Sequence, residues 1–565
     1  MTDGRRFLHA SSQARSPESG APGPFPRFER LELLGLLACL GAYAFLKSSF
    51  GILICDDAYI TLAHARSWNA GLGPVMSAQN PVCATSTPLH TMVLAFEGAV
   101  LRTSDYTSLA YFTNLAWDLV GLFFLYRIAR RGLRLDPPFA LLALAAYALS
   151  VNFLAVSAYG METPMYTAQA LAGSWFAFYG KGKAESGSPD PDARSGGPES
   201  PVPDSRGARM GLAAIAFLAP LARPEGPLIP AVLILIRWRR QGGRPGRDLI
   251  LCAAAATLGL AGFFAFNHLA YGRWLPHSIL AKRLEIHVGL IEGLRSWVLN
   301  VCYKGPCLGG VTAVTLLNPL IAAVATMGYL RGAGLFPSRA VPPVEPAETA
   351  ARAIPWELLA WPFLYFLFFT VTRSSYILFT WYYLPVLPFL ILFLTAGLAR
   401  WAEGRMPAMA AWALLFAFLA YVPYQTFRQK LPAKHRFAEA AREGRYREAA
   451  RIVDSLTVPG KVPLVMIDEV GAIGYWSHAR ILDTHGLLSP EALPYLGPAK
   501  DYFLRMAALQ DKYDPDWIMG LRLVKDEGQW YTGEDGLYAG YEAYRILRLP
   551  PHGYNMELWR RQPPD

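Results

Sequence analysis

The chain has 565 residues, too many for one small domain, and 53% of them are hydrophobic against only 17% charged, a low charged share for a soluble protein. Its net charge of +10 comes from arginines gathered in short segments between apolar blocks, not along one amphipathic face. That pattern argues against nucleic-acid binding and for a polytopic membrane protein with its basic loops in the cytoplasm.

Residues 1–30 form a polar, basic leader, expected in the cytoplasm. The first apolar block, LELLGLLACLGAYAFL, is long and lacks an A-x-A site, so it reads as an uncleaved anchor and not as a signal sequence. Apolar runs of about 17 to 25 residues recur along the chain, each long enough to cross a hydrocarbon core of about 30 Å. Spans are expected near 31–54, 108–129, 137–156, 162–180, 210–222, 226–238, 248–270, 306–330, 355–371, 376–398 and 407–425, about eleven in all. An odd count leaves the N-terminus inside and the C-terminus outside, with RIARRGLR at 127–134, the stretch 181–209, and the basic segments at 237–247, 331–352 and 400–405 in the cytoplasm. The run PLHTMVLAFEGAVL at 88–101 would invert RIARRGLR if it crossed. It is therefore laid in the outer interface as a short helix.

The stretch 181–209 is rich in Pro, Ser and Gly without apolar periodicity and reads as a disordered linker within a membrane domain spanning 31–427. From 428 to 565 the texture changes. An amphipathic helix, HRFAEAAREGRYREAARIVDSL, is followed by short strand-like runs, VPLVMIDE, ARILDTHGLL, DPDWIMGL and YEAYRILRL, which predict an extracytoplasmic α/β domain resting on the membrane domain.

The first outer loop, 55–107, opens with CDDAYITLAHARSWNAGLG, so Asp56 and Asp57 start a helix that ends near Gly71. An Asp there can cap the helix and complement its dipole. It can equally serve as a base that takes a proton from an acceptor hydroxyl at the membrane surface. Lys282 and Arg283, in the loop after the seventh span, could hold a phosphate as charge develops on it, or could be interfacial cations that snorkel. Arg223 and Glu225 lie at a Pro-interrupted apolar hairpin and are expected to pair with each other. The ten histidines show no metal-ligand spacing, and neither a CxxC, a P-loop nor a dinucleotide fingerprint is present, so no metal or cofactor is expected. Of the six cysteines, Cys55, Cys83, Cys302 and Cys307 fall on the outer side, where disulfides persist, and Cys55–Cys83 and Cys302–Cys307 are the expected pairs among the three possible pairings.

The first-loop motif resembles that of GT-C-type polyprenyl-phosphate glycosyltransferases, most closely the branch containing the mycobacterial terminal β-1,2-arabinofuranosyltransferase. The resemblance continues in order through TSTPLHTMVLA at 85–95, YGMETPMY at 159–166, LARPEGPLIP at 221–230, YGRWLPHSILAKR at 271–283 and DEVGAIGYWSHARILDTHGLL at 468–488. Two departures, PVCATSTPLH where the family carries Glu-Gly-Tyr and His277 where it has Asn, put the particular sugar in doubt more than the reaction. The resemblance implies a GT-C-like, mainly α-helical membrane domain in the inner (plasma) membrane. It implies transfer of a sugar, usually with inversion, from a polyprenyl phosphate to an envelope glycan, lipid or protein. Carried over by position, Asp56 would be the base, with Asp57 as second carboxylate or as the base itself. Glu162 would bind donor or acceptor hydroxyls, or only start the helix before Pro164, and His277, Lys282 and Arg283 would meet the donor phosphate. The rival readings are a protein O-mannosyltransferase-like or aminoarabinose-lipid A type reaction on the same fold, a transporter or flippase of lipid-linked sugars, and a non-catalytic envelope scaffold.

Overall fold

The computed structural model describes residues 26–178, 206–240, 243, 246–285, 289, 291–292, 295, 317–332, 357–371, 380–497, 502–523, 538–549 and 554–563. Of the linker expected at 181–209, residues 181–205 lie outside the described residues, as do Cys302, Cys307 and the side chain of Arg283, while 206–209 are helical and not linker.

The membrane domain is built from α1 (Pro26–Phe50), α2 (Asp56–Asn69), α3 (Pro88–Leu101), α4 (Tyr106–Arg127, prolonged by a π-helical turn, Ile128–Gly132), α5 (Pro137–Ala148), α6 (Val151–Ala158), α7 (Thr163–Phe178), α8 (Arg206–Ala222), α9 (Leu228–Arg240), α10 (Arg247–Tyr271), α11 (His277–Glu285), α12 (Leu317–Gly332), α13 (Glu357–Val371), α14 (Leu387–Ala402) and α15 (Ala408–Arg428). Among the described residues four helices are long and apolar enough to cross a membrane: Glu29–Phe50, Tyr106–Gly132, Arg247–Tyr271 and Ala408–Arg428. The pair α5 and α6, bent by 49°, makes a fifth if counted as one broken span.

Among the described residues the expected count of about eleven spans is thus not confirmed. Most of the remaining segments are helical where described, α7 over 16 residues, α8 over 17 and α9 over 13, and each of these meets residues outside the described set at one end. A proline inside a helix removes an intrahelical hydrogen bond and strains the preceding turn. Pro220 lies inside α8 and Pro362 inside α13. The run Arg223–Pro227 separates α8 from α9 in two turns of irregular chain. The short helix expected at 88–101 is present as α3, with Pro88 at its start.

The C-terminal domain follows the sequence pattern closely. The amphipathic run becomes α16 (Leu431–Leu456), and the strand-like runs become β1 (Leu464–Ile467), β2 (Arg480–Asp483), β3 (Trp517–Leu523) and β4 (Tyr541–Leu549). A fifth strand, β5 (Tyr554–Arg561), was not apparent in the sequence. A short helix, α17 (Gly471–Trp476), sits between β1 and β2, and α18 (Tyr502–Tyr513) precedes β3. The sheet order is β2-β1-β3-β5-β4, parallel across β2, β1 and β3 and antiparallel across β3, β5 and β4.

Strand side chains alternate between faces, and the two faces enter different cores. Met466 and Ile518 pack with Met506 and Leu509 of α18, whereas Val465, Ile467, Trp517 and Met519 join Tyr446, Ala449 and Val453 of α16. That second core also contains Ala58, Tyr59, Leu62 and Ala63 of α2, Leu94 of α3 and Ala110 of α4. The C-terminal domain and the first loop thus share one hydrophobic interior. Full burial of a large aliphatic or aromatic side chain is worth about 1.5–3 kcal/mol in water, so this shared core fixes how the domain sits on the loop.

Candidate active site

Helix α2 carries the two candidate carboxylates in its first turn, after Cys55 at the N-cap, which makes no side-chain cap. A helix places residues three and four apart on one face, and α2 has two such stripes that look different ways. Asp56, Tyr59 and Arg66 turn toward the C-terminal domain. The Tyr59 and Tyr475 rings lie 5.1 Å apart, and the Arg66 guanidinium stacks on the Tyr475 ring at 3.9 Å while donating to the Tyr475 carbonyl at 2.9 Å. Asp57, Thr61, His64 and Trp68 share the other stripe. Thr61 meets Thr85 and Thr87, the Ala84 N–H donates to His64 Nε2 at 3.2 Å, and Trp68 approaches Phe266 near the end of α10.

The capping expected of the first-loop carboxylates is present, but on a different helix. Asp56 does not cap α2. Its Oδ2 accepts from the Gly471 N–H at 2.9 Å and its Oδ1 from the Ala472 N–H at 2.8 Å, so it closes the start of α17, 415 residues along the chain. The approach is close enough to require glycine: a Cβ on Gly471 would lie 1.8 Å from the Asp56 carbonyl oxygen. Part of the residue stays accessible, yet protein surrounds the carboxylate, and burial pushes its pKa up to about 6 against the lowering pull of the two N–H donors. A crevice beside it is lined by Ile54, Tyr59, Arg442, Glu443, Tyr446 and Ala472. There Arg442 Nε and the Tyr446 hydroxyl both donate to Glu469 Oε2, the first at 2.9 Å. Asp57 is half-buried and has no hydrogen bond or ion pair among the described residues.

The segment leading into α2 runs beside the loop that carries Glu162. Leu53 N–H donates to the Ala158 carbonyl and Cys55 N–H to that of Tyr159, both at 3.2 Å. Glu162 is buried at the start of α7, and Arg223 Nε lies 3.1 Å from Glu162 Oε1 and 3.0 Å from Glu225 Oε1. The expected pairing of Arg223 with Glu225 is therefore present, but Arg223 is shared with Glu162, and the Tyr365 hydroxyl adds a donor to Glu225 Oε1 at 3.3 Å. Arg223 also lies over the Tyr382 ring at 4.4 Å.

The third group of candidates is on α11, which packs against the chain following β2. Ala281 is fully buried, its Cβ facing Gly486. His277 is buried, accepts from Arg273 Nη1 at Nδ1 at 3.3 Å, and has its pKa pushed down to about 4 by burial first and by Arg273 second. It is neutral at physiological pH and can offer a phosphate a hydrogen bond but no charge. Lys282 is partly buried and interacts within the fold.

Cys55 and Cys83 are both buried free thiols, so the disulfide expected to close the first loop is not formed. Polar pins take its place. Asn80 Nδ2 donates to the Ala479 carbonyl at 3.0 Å and its Oδ1 accepts the Ile481 N–H at 2.8 Å, fastening the loop to β2, while His64 Nδ1 donates to Ile60 at 2.6 Å. Sequence reasoning also missed a buried cluster of Lys47, Asp118, Ser157 and Tyr43 inside the membrane domain. The available signal was one ionisable residue in each of two apolar runs, Lys47 in GAYAFLKSSF and Asp118 in LAWDLVGLFF.

The arrangement is that of a GT-C-type membrane fold. The crystal structure of ArnT from Cupriavidus metallidurans in the apo state superposes with a TM-score of 0.54 at 14% identity, covering 93% of this chain and 97% of that one. The structure of the same ArnT bound to undecaprenyl phosphate gives 0.53 at 13% identity with the same coverage. The apo oligosaccharyltransferase of Archaeoglobus fulgidus is a looser likeness, with a TM-score of 0.45 at 11% identity over 87% of this chain and 69% of that one. Residues 436–559 match the family described as "Domain of unknown function (DUF8728)". No curated protein matches the chain in sequence. With its apolar helices and this fold, the chain is a multi-pass membrane protein.

Proposed function

We propose that this protein is a glycosyltransferase of the inner membrane that moves a sugar from a polyprenyl-phosphate donor to an envelope acceptor on the extracytoplasmic face. The observation that carries the reading is a likeness to ArnT over 93% of the chain, one structure of that ArnT holding undecaprenyl phosphate, together with a carboxylate at the head of α2 that has no hydrogen bond or ion pair among the described residues. Asp57 is the base in this reading, and Asp56, both of whose oxygens accept backbone N–H groups, holds the C-terminal domain in place. Asp57 takes the acceptor hydroxyl proton as the acceptor oxygen bonds to the anomeric carbon. The bond from that carbon to the phosphate oxygen breaks, and polyprenyl phosphate leaves with the electron pair. In this reading Lys282, Arg283 and a hydrogen-bonding His277 serve the phosphate and Glu162 addresses a sugar hydroxyl; the approach of Trp68, on the stripe bearing Asp57, to Phe266 near the end of α10, which leads into α11, supports it.

The sugar and acceptor are tested by incubating the purified protein with a panel of polyprenyl-phosphate sugars, beginning with the arabinofuranosyl donor that the first-loop motif suggests. Consumption of one donor with release of polyprenyl phosphate is expected. One observation favours the transporter reading, the broken span of α5 and α6, since discontinuous helices line transport sites. Movement of an intact donor across vesicle membranes, with none consumed, would support that alternative.

A further inference from the structure

A helix ordinarily leaves its last carbonyls without intrahelical partners. At the end of α6 and in the loop after it, five consecutive carbonyls each have a donor from elsewhere. Those of Ser157 and Met161 accept from Asn114 Nδ2 at 3.1 and 3.0 Å, that of Ala158 from the Leu53 N–H, that of Tyr159 from the Cys55 N–H, and that of Gly160 from His90 Nε2 at 3.3 Å. Gly160 itself has a φ of +77°, and a Cβ there would meet Ile54 at 2.8 Å. The loop carrying Glu162 is thus clamped against the segment carrying Asp57.

The same helix end is anchored on its other side. Asp118 Oδ2 accepts from the Tyr43 hydroxyl at 2.8 Å, from Lys47 Nζ at 3.4 Å and from the Ser157 hydroxyl, and Lys47 also donates to Ser157. Lys47 and Asp118 are each 2% exposed. A buried ion pair is weak evidence for stability, because well-packed apolar residues commonly do as well or better, and ionisable residues inside membrane helices tend to mark function. Helix α6 has eight residues and follows a 49° bend, so little of its own length fixes its orientation.

We infer that Asn114 and the Lys47–Asp118–Ser157 network are positioning residues that set the loop Tyr159–Glu162 against the segment Leu53–Asp57, and with it the spacing between Glu162 and Asp57. The catalytic consequence rests on the glycosyltransferase reading; the geometry does not. None of these four side chains touches the reacting atoms in that reading, so each acts through the loop.

The test uses the full chain and two readouts. The first is the rate at which N-ethylmaleimide alkylates Cys55, followed by peptide mass spectrometry, because the Cys55 thiol is buried and its N–H is bonded to the loop. The second is kcat and KM for the donor found by the panel. Asn114→Leu removes both clamp donors at similar volume, and the double variant Lys47→Met/Asp118→Leu replaces the ion pair with apolar groups. The double variant is expected to unfold near the native temperature and Asn114→Leu below it, because the buried Ser157 and Met161 carbonyls lose their donor, and both are expected to alkylate Cys55 faster. Their kcat should fall toward the hundredfold loss that a misplacement of about 1 Å brings, with donor KM changed less than about twofold. Ser157→Ala, which removes one hydroxyl, should show the same pattern more weakly. Native Cys55 protection and native kcat in the double variant, or in Asn114→Leu, would overturn the inference and leave the network as packing. If the wild-type protein consumes no donor, the enzymatic reading fails, and the Cys55 rates alone decide whether the network sets the loop.

Discussion

Asp56 and Asp57 are neighbours in sequence with different physical situations, and substitution should separate them. In Asp56→Asn one acceptor oxygen remains for two N–H donors, so either Gly471 or Ala472 loses its partner. A buried donor left unpaired costs about 1–3 kcal/mol, and thermal unfolding of Asp56→Asn should fall accordingly while sugar transfer persists in the folded fraction. A second prediction concerns pH. Burial raises the carboxyls of Asp56 and Asp483 to about 6, Asp483 being enclosed in the turn where its oxygens accept the His485 and Leu488 N–H groups. An acid whose pKa rises on folding binds its proton more tightly folded than unfolded. Its contribution to stability is therefore greatest below the unfolded value of about 3.9, falls as pH climbs to about 6, and is flat above. The unfolding temperature of the C-terminal domain should decline from pH 4 to 6 from these two groups, and Asp483→Asn should flatten part of that slope. A slope unchanged by the substitution would remove Asp483 from the account. None of this was legible beforehand: the sequence shows that two carboxylates begin a helix, but Asp56 has its partners 415 residues away.

Local pattern served well for single elements and poorly for what joins them. Helix α2 ends where Gly71 and Gly73 take positive φ, and the runs read as strands became β1 to β4, because alternation and turn residues report on local structure. The missing strand, β5, is YNMELWRR, where charge interrupts the alternation and Glu557 is nevertheless buried. In the membrane domain the runs expected at 210–222, 226–238 and 355–371 are helices of about that extent, α8, α9 and α13, with Pro220 and Pro362 inside two of them. The joint between α2 and α17 is where an element-scale prediction belongs. Gly471→Ala would drive a Cβ into the Asp56 backbone, and overpacking of this kind costs about 1–3 kcal/mol. Limited proteolysis should cut the C-terminal domain of that variant faster. Gly444→Ala in α16 is the control: nothing lies within 4 Å of its Cβ position, and replacing a helical glycine gains up to about 1 kcal/mol. Equal protease resistance of Gly471→Ala and the parent would mean that the domain does not depend on this contact.

Across the whole molecule, the shared core of first loop and C-terminal sheet requires both on one side of the membrane. Single cysteines introduced at 195 and 340 should be protected from an impermeant reagent in intact cells, and one at 495 should react; labelling at 195 would reverse the orientation. The class of fold was legible because six motifs occur in one order along the chain, and the superposition on ArnT over 93% of it agrees. The sugar was not legible, because specificity depends on side chains lining the donor and acceptor sites, and the motif resemblance breaks at PVCATSTPLH and at His277. The central claim is that a first-loop carboxylate drives glycosyl transfer from a lipid phosphate. Its most direct test is the single-turnover rate of the donor identified by the panel, compared between wild type and Asp57→Asn. A loss of about 100- to 10,000-fold is expected, the range general-base catalysis contributes, with the variant folded and still binding that donor. Transfer by Asp57→Asn at the wild-type rate would contradict it.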